Sequence, residues 1–138
     1  MTDPYDSGVR RDYPGEHFAV VRKDENSGKG VISYRDFRAG ELLCDLQGEI
    51  VSEVLQHTLQ VAPGKHLLDR DFSGYFLHSC APNVSVDMQT MKVVALQDIA
   101  AGDYLFMDYA ETEEVLFKQF QCRCGSANCR GWIKGRNE

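Results

Sequence analysis

Cys122-Arg123-Cys124-Gly125-Ser126-Ala127-Asn128-Cys129 carries three sulfurs within eight residues, and a fourth, Cys80, stands in His78-Ser79-Cys80-Ala81-Pro82-Asn83. Two cysteines one residue apart do not bridge comfortably to each other, yet both can face one metal ion. Four thiolates complete a tetrahedral structural zinc site, with Cys80 as the upstream ligand that staples the tail to the body. The rival reading, free thiols or disulfides, belongs to an exported protein. Met1-Thr2-Asp3-Pro4-Tyr5-Asp6 has neither the basic nor the apolar region of a secretory leader. A reducing compartment is therefore expected: intracellular, either cytoplasmic or, in a eukaryote, nuclear. The fifth cysteine, Cys44, lies in an apolar stretch and reads as core.

Around these sulfurs the composition is that of a globular chain. Its 138 residues suit one domain with a single modest core, and no apolar run is long enough to span a membrane. The net charge of −6 argues against direct contact with nucleic acid, which requires a basic footprint. An acidic surface can attract a basic peptide or simply keep the chain in solution.

Short β-type runs alternate with glycine turns. Strands are expected at 17–22, 31–33, 41–45, 49–54, 57–61, 66–69, 84–88, 91–96 and 104–109. Turns fall at 26–30, 38–40, 63–64 and 101–103, and a hairpin bends across Gln89-Thr90. Polar residues over 1–16 predict a loose N-terminal arm. Thr112 is expected to cap a short helix running to about Gln119, with Glu113 and Glu114 in its first turn.

Read in order, these pieces resemble the SET domain family of protein-lysine methyltransferases with its C-terminal post-SET zinc segment. Gly28-Lys29-Gly30-Val31, Ala39-Gly40-Glu41 and Gly48-Glu49 match the family's opening strands. His78-Ser79-Cys80-Ala81-Pro82-Asn83 matches all but the first residue of its central signature, and Ala101-Gly102-Asp103 through Asp108-Tyr109 matches the segment ending in Asp-Tyr. Cys122, Cys124 and Cys129 match the post-SET spacing. Each motif alone is weak; four in the right order are not.

The resemblance implies a mainly β fold with little helix: a β-clip-like set of small curved sheets, a pseudoknot where 78–83 crosses Asp108-Tyr109, and a zinc tail. It divides the chain into the arm, a SET domain over 17–111, and a short helix with the post-SET segment over 112–138. It implies S-adenosylmethionine-dependent N-methylation, first of a lysine side chain on a protein or peptide partner, with one structural zinc at Cys80, Cys122, Cys124 and Cys129. Gly28, Lys29 and Gly30, with Leu77 and His78, would hold the cofactor. Trp132 would stack on the adenine, although a solitary tryptophan can equally cover core. Tyr109 would be the catalytic phenol, positioning methyl group and amine.

Three positions depart from the family. Leu77 stands where an asparagine helps hold the methionine end of the cofactor, Gly74 where an arginine is common, and Met107 where an aromatic residue influences how many methyl groups are added. Leu77 keeps open a non-catalytic SET domain that acts as a zinc-stabilised binding module. The short stretch between Val54 and Phe72 leaves a minimal groove. That groove would admit a small-molecule amine, and a homodimer could supply its missing wall. Ser79 beside His78 is no nucleophile–base pair, since adjacent side chains seldom face each other. His17, His57 and His66 read as structural or surface residues.

Overall fold

Strict alternation sets several of the strands. In Val84-Ser85-Val86-Asp87 the valines are buried and the serine and aspartate face outward, and Lys92-Val93-Val94-Ala95 repeats the pattern in antiparallel register. The computed structural model describes residues 13–24 and 28–138. In chain order the strands are β1 (Phe18–Asp24), β2 (Gly28–Ser33), β3 (Leu42–Asp45), β4 (Glu49–Val51), β5 (Thr58–Ala62), β6 (Lys65–Leu68), β7 (Leu77–His78), β8 (Val84–Asp87), β9 (Lys92–Ala95), β10 (Phe106–Met107), β11 (Phe120–Gln121) and β12 (Trp132–Ile133). A 3-10 turn, Ser73–Tyr75, and a one-turn helix, α1 (Tyr109–Thr112), are the helical elements among the described residues.

They form small sheets. β1 pairs with β2, β9 lies between β3 and β8, and β6 lies between β4 and β5, all antiparallel. Two further pairs build the site. β7 and β10 run parallel, Leu77 beside Phe106 and His78 beside Met107, so the signature segment lies against the segment leading to Tyr109. The Ser79 and Asn83 amides donate to the Met107 and Phe106 carbonyls, and Asn83 Nδ2 donates to Tyr104 O. This is the expected crossing. β11 pairs with β12 and closes the cysteine loop at its base.

The core is aromatic and aliphatic. Phe18 stacks on Phe37 at 5.8 Å, and Phe72 meets Phe18 at 5.2 Å and Phe76 at 4.9 Å. A second, smaller cluster holds Cys80, Leu116, Cys122 and Ile133, and Tyr109 packs against both. Tyr109 is therefore the seam between body and tail.

Two expectations are corrected. Thr112 ends a helix rather than starting one. Asp108 is the cap, accepting from the Ala110 amide at 3.0 Å, and residues 113–119 are not helical. The reason is competition for backbone and carboxylate. Glu113 accepts from the Gln60 amide, Glu114 N donates to Gln60 Oε1, and the Glu113 and Glu114 carbonyls accept from Arg136 N and Asn137 N. The strand expected over 104–109 shortens to β10, because Tyr104 bridges to Ile32 and Asp108 turns to cap α1. Of the arm expected over 1–16, residues 13–16 are described, and there the Tyr13 hydroxyl donates to Asp69 and its ring stands edge-on to Phe72 at 5.5 Å. Residues 1–12, and Asn26-Ser27 of the first turn, lie outside the described residues. No helix among the described residues is long and apolar enough to cross a membrane.

Candidate functional site

The four cysteines named from spacing converge: the sulfurs of Cys80, Cys122, Cys124 and Cys129 all lie within 4.8 Å of one another. A tetrahedral Zn–S distance of about 2.3 Å puts sulfurs roughly 3.8 Å apart, so this donor set fits one zinc ion with small adjustments. No disulfide joins the described cysteines, and Cys44 sits away from the cluster, half-buried against the main core. Burial pushes the Cys122 thiol up to about 12, whereas hydrogen bonding to Ser126, whose Oγ lies 3.0 Å from the sulfur, draws Cys124 down to about 5. The Arg130 amide donates to Cys80 Sγ at 3.3 Å, and Asn128 Nδ2 donates to Cys80 O at 2.9 Å. Such contacts fix ligand sulfurs in place.

From the sulfurs two links run to Tyr109. The Arg130 guanidinium holds Asp108 in a bidentate pair, 2.9 and 2.7 Å, and Asp108 caps the helix that Tyr109 opens. Burial works against the Asp108 charge, but hydrogen bonds from Arg130 and from the Ala110 amide hold its carboxyl below the usual range. The second link is His78. Its Nδ1 accepts from the Tyr109 amide at 3.1 Å, which leaves the proton on Nε2, 3.6 Å from Cys80 Sγ. Burial lowers His78 to about 4, against the pull of Asp108 and with the help of Arg130, so the ring is neutral at pH 7. His78, Tyr109 and Phe120 meet tilted or edge-on, with centroids 5.1 to 5.9 Å apart.

Tyr109 opens onto a cavity of about 550 Å³. Gly28, Lys29, Leu77, Tyr109 and Phe120 line it, together with His57, Tyr75, Phe76, Glu113 and the 116–118 stretch. The Tyr109 hydroxyl donates to Phe76 O at 2.5 Å, and burial, then Glu113, raises its pKa. That bond holds the hydroxyl in one orientation. Glu113 is also raised by burial, opposed by its hydrogen bonds to Gln60 and Thr112.

Of the residues named from sequence, Gly28, Lys29, Leu77 and Tyr109 share this cavity. Gly30 sits directly behind Leu77: a Cβ there would lie 2.8 Å from Leu77 Cδ1. His78 stands beneath Tyr109. Trp132 is 56% exposed, outside the lining residues, and donates to Gln119 Oε1 at 2.8 Å. Ser79 is buried and accepts from the Ala81 amide, as a turn residue does. Phe120 and Arg130 are not among the residues expected from the sequence, and His57, expected as a structural or surface residue, lines the cavity. Arg130 directly follows the last cysteine and Phe120 stands two before the first of the tail, positions that tether or wall whatever the sulfurs hold. Nothing local marks His57.

Known proteins resemble this chain in sequence and in fold. Residues 28–110 match the family model described as SET domain. The methyltransferase flvH of Aspergillus flavus is 33% identical over 103 residues, covering 72% of this chain and 58% of that protein. The H3 lysine-9-specific histone-lysine N-methyltransferase of Schizosaccharomyces pombe is 32% identical over 88 residues, covering 47% of this chain and 18% of that protein. The crystal structure of KRYPTONITE in complex with mCHG DNA and SAH superposes with a TM-score of 0.66 at 25% identity, over 83% of this chain and 28% of that one.

A matched span that includes the cavity's Gly28, Leu77 and Tyr109 defines the class: the chain belongs to the SET domain family. It spans less than two thirds of these curated relatives. The cysteine tail lies beyond the matched residues and is compatible with a zinc site.

Proposed function

We propose that this chain is an S-adenosylmethionine-dependent N-methyltransferase whose acceptor is a lysine side chain on a protein or peptide, with one structural zinc in the tail. The observation that carries the reading is the gathering of Gly28, Lys29, Leu77, Tyr109 and Phe120 around one cavity, directly beside four clustered sulfurs. A cavity of about 550 Å³ is in the range of cofactor sites, and a neighbour of the same fold holds SAH. Phe117 and Phe120 offer ring faces suited to a purine, while Lys29, His57 and Tyr75 offer polar contacts. Gly28, Lys29, Gly30, Leu77 and His78 form the cofactor's wall in this reading, and Trp132 joins it only by turning inward from its exposed position.

When bound, S-adenosylmethionine supplies an electrophilic methyl group on a sulfonium. The chain's own residues contribute alignment and dryness. Tyr109 keeps its proton through the neutral range, so its hydroxyl orients and the amine must arrive deprotonated, a state that burial favours. Phe76, Leu77, Leu116 and Phe120 exclude water from the lining. Cys80, Cys122, Cys124 and Cys129 would hold zinc, and Asp108, Arg130 and His78 tie that centre to Tyr109.

The test is methyl transfer from labelled S-adenosylmethionine to a lysine-bearing peptide, beside the same peptide with norleucine for lysine. Label on the first alone supports the reading. Label on a simple amine in preference to the peptide, or none on either while the cofactor binds, overturns the lysine assignment. A second reading, a non-catalytic module, has one observation in its favour: Leu77 packs as hydrocarbon on Gly30 and offers no hydrogen bond.

A further inference from the structure

The 3-10 turn Ser73–Tyr75 borders the cavity and leads into Phe76, whose carbonyl accepts from the Tyr109 hydroxyl. The turn is not held by its own cap, since Phe72 makes no side-chain capping bond. Asp69 supplies the acceptor from upstream. It is 3% exposed, yet its carboxylate is ringed by donors. Oδ1 accepts from the Asp71 amide at 3.1 Å and the Phe72 amide at 3.0 Å. Oδ2 accepts from the Ser73 amide at 3.0 Å, from Ser73 Oγ at 2.6 Å and from the Tyr13 hydroxyl. The Asp69 carbonyl accepts from the Gly74 amide at 3.0 Å, and a Cβ on Gly74 would lie 2.2 Å from that oxygen. The turn therefore closes directly onto Asp69.

Two more bonds carry the line to the site. The Phe76 amide donates to Ser73 O at 3.1 Å, and Tyr109 donates to Phe76 O at 2.5 Å. A buried carboxylate surrounded by donors is fixed in place, because rotation would leave desolvated groups unpaired. Burial, then the Asp69 charge, raises the Tyr13 hydroxyl's pKa, so it keeps its proton and donates. We propose that Asp69 is a positioning residue for Tyr109, with Tyr13 as its outer support: together they set where Phe76 presents its carbonyl, and so where the Tyr109 hydroxyl points. This rests on the methyltransferase reading above and goes beyond it by giving a role to two residues that do not line the cavity. Tyr13 also lies outside the residues that match the family model.

The experiment observes the Phe76 carbonyl by nuclear magnetic resonance. Phe76-Leu77 is the one Phe-Leu step in the sequence, so phenylalanine labelled at its carbonyl carbon and leucine labelled at nitrogen give a single correlation from the zinc-loaded full chain. Tyr109→Phe supplies the shift of that carbonyl with no phenol on it. Asp69→Asn turns an amide N–H against one of the donors and should carry the signal most of the way to this reference. Tyr13→Phe keeps the ring on Phe72, removes only the hydroxyl, and should carry the signal part of the way. It keeps the test open if Asp69→Asn does not fold. Turnover of Tyr13→Phe should fall about tenfold, with KM for the peptide within about twofold, as misplacement of a reacting geometry does. A Phe76 signal unmoved in folded Tyr13→Phe, or moved with turnover intact, overturns the positioning role and leaves the methyltransferase reading standing. If the unmutated chain transfers no methyl group, that reading fails and the role with it.

Discussion

Tyr109 is a single residue under four constraints: its amide donates to His78, its hydroxyl to Phe76 O, its ring meets Phe120, and Asp108 caps the helix it opens. Tyr109→Phe removes one hydroxyl from this setting. Loss of the bond to Phe76 O costs about 1 kcal/mol of stability, and metal content is unchanged. Turnover should fall by about a hundredfold or more, the usual consequence of removing one oriented polar group from a dry site. Single-turnover kinetics at saturating cofactor checks it, and undiminished rates would take Tyr109 out of the mechanism.

Gly74→Ala is the matching structural probe. A Cβ 2.2 Å from a backbone oxygen has nowhere to go, so a destabilisation of about 3 kcal/mol or more is expected in a urea melt. An alanine tolerated without loss would contradict the packing. At this scale spacing made the cysteines readable, since their sulfurs converge, and the family resemblance made the glycine loop and Tyr109 readable, since Gly28, Lys29 and Tyr109 share one cavity. His57 was not readable, because its place depends on the absence of a side chain seventeen positions away in the chain.

Among the elements, the one that matters is the clamp between the tail and α1. Arg130→Met leaves four sulfurs in place, so zinc should remain at one per chain while stability falls by about 1 kcal/mol, the value of a partly exposed bidentate pair. Asp108 is held below its ordinary range in the folded chain, so on acidification the unfolded chain takes up the proton first. The pair's contribution is then full above about pH 4 and is lost as the pH falls further, through the folded value. That part of the acid dependence should vanish in Arg130→Met, as read by thermal melts across pH; an unaltered profile would place the stabilisation elsewhere.

The helix expected after Thr112 shows why elements are harder to read than residues. Thr112 and two following glutamates make a sound local start signal, yet Glu113 and Glu114 find better partners in Gln60 and in the tail's Arg136 and Asn137. Tertiary hydrogen bonds from both directions outweighed a local preference. β7, β11 and β12 escaped notice for a related reason. Each is two residues long and exists only through its partner.

For the whole molecule, the division into a hydrophobic body and a sulfur-held tail predicts unequal responses to chelation. The body has its own core around Phe18, Phe37, Phe72 and Phe76, whereas Leu116 and Ile133 belong to a small cluster of the cysteines with Tyr109 and Phe120 at its edge. Stripping metal with a strong chelator, or Cys124→Ser, should therefore retain the far-ultraviolet signal of the sheets. Trp132, the only tryptophan and part of the tail, should shift in fluorescence as its bond to Gln119 is released. A silent Trp132 with metal removed would mean that the tail stands without it. The broad architecture, small sheets with a crossing and a tail, was open to sequence reading because four ordered motifs report it together. Trp132's outward orientation was not, since a strand pair decides which face a residue takes.

The central claim is that the cavity beneath Tyr109 holds S-adenosylmethionine despite Leu77. The most direct measurement is the heat of binding of S-adenosylmethionine and of its demethylated product to the zinc-loaded chain. One site per chain for each ligand, with a dissociation constant of about micromolar order, is the result expected. No heat from either ligand at millimolar concentration, on folded and zinc-replete protein, would contradict the claim and leave a binding module in its place.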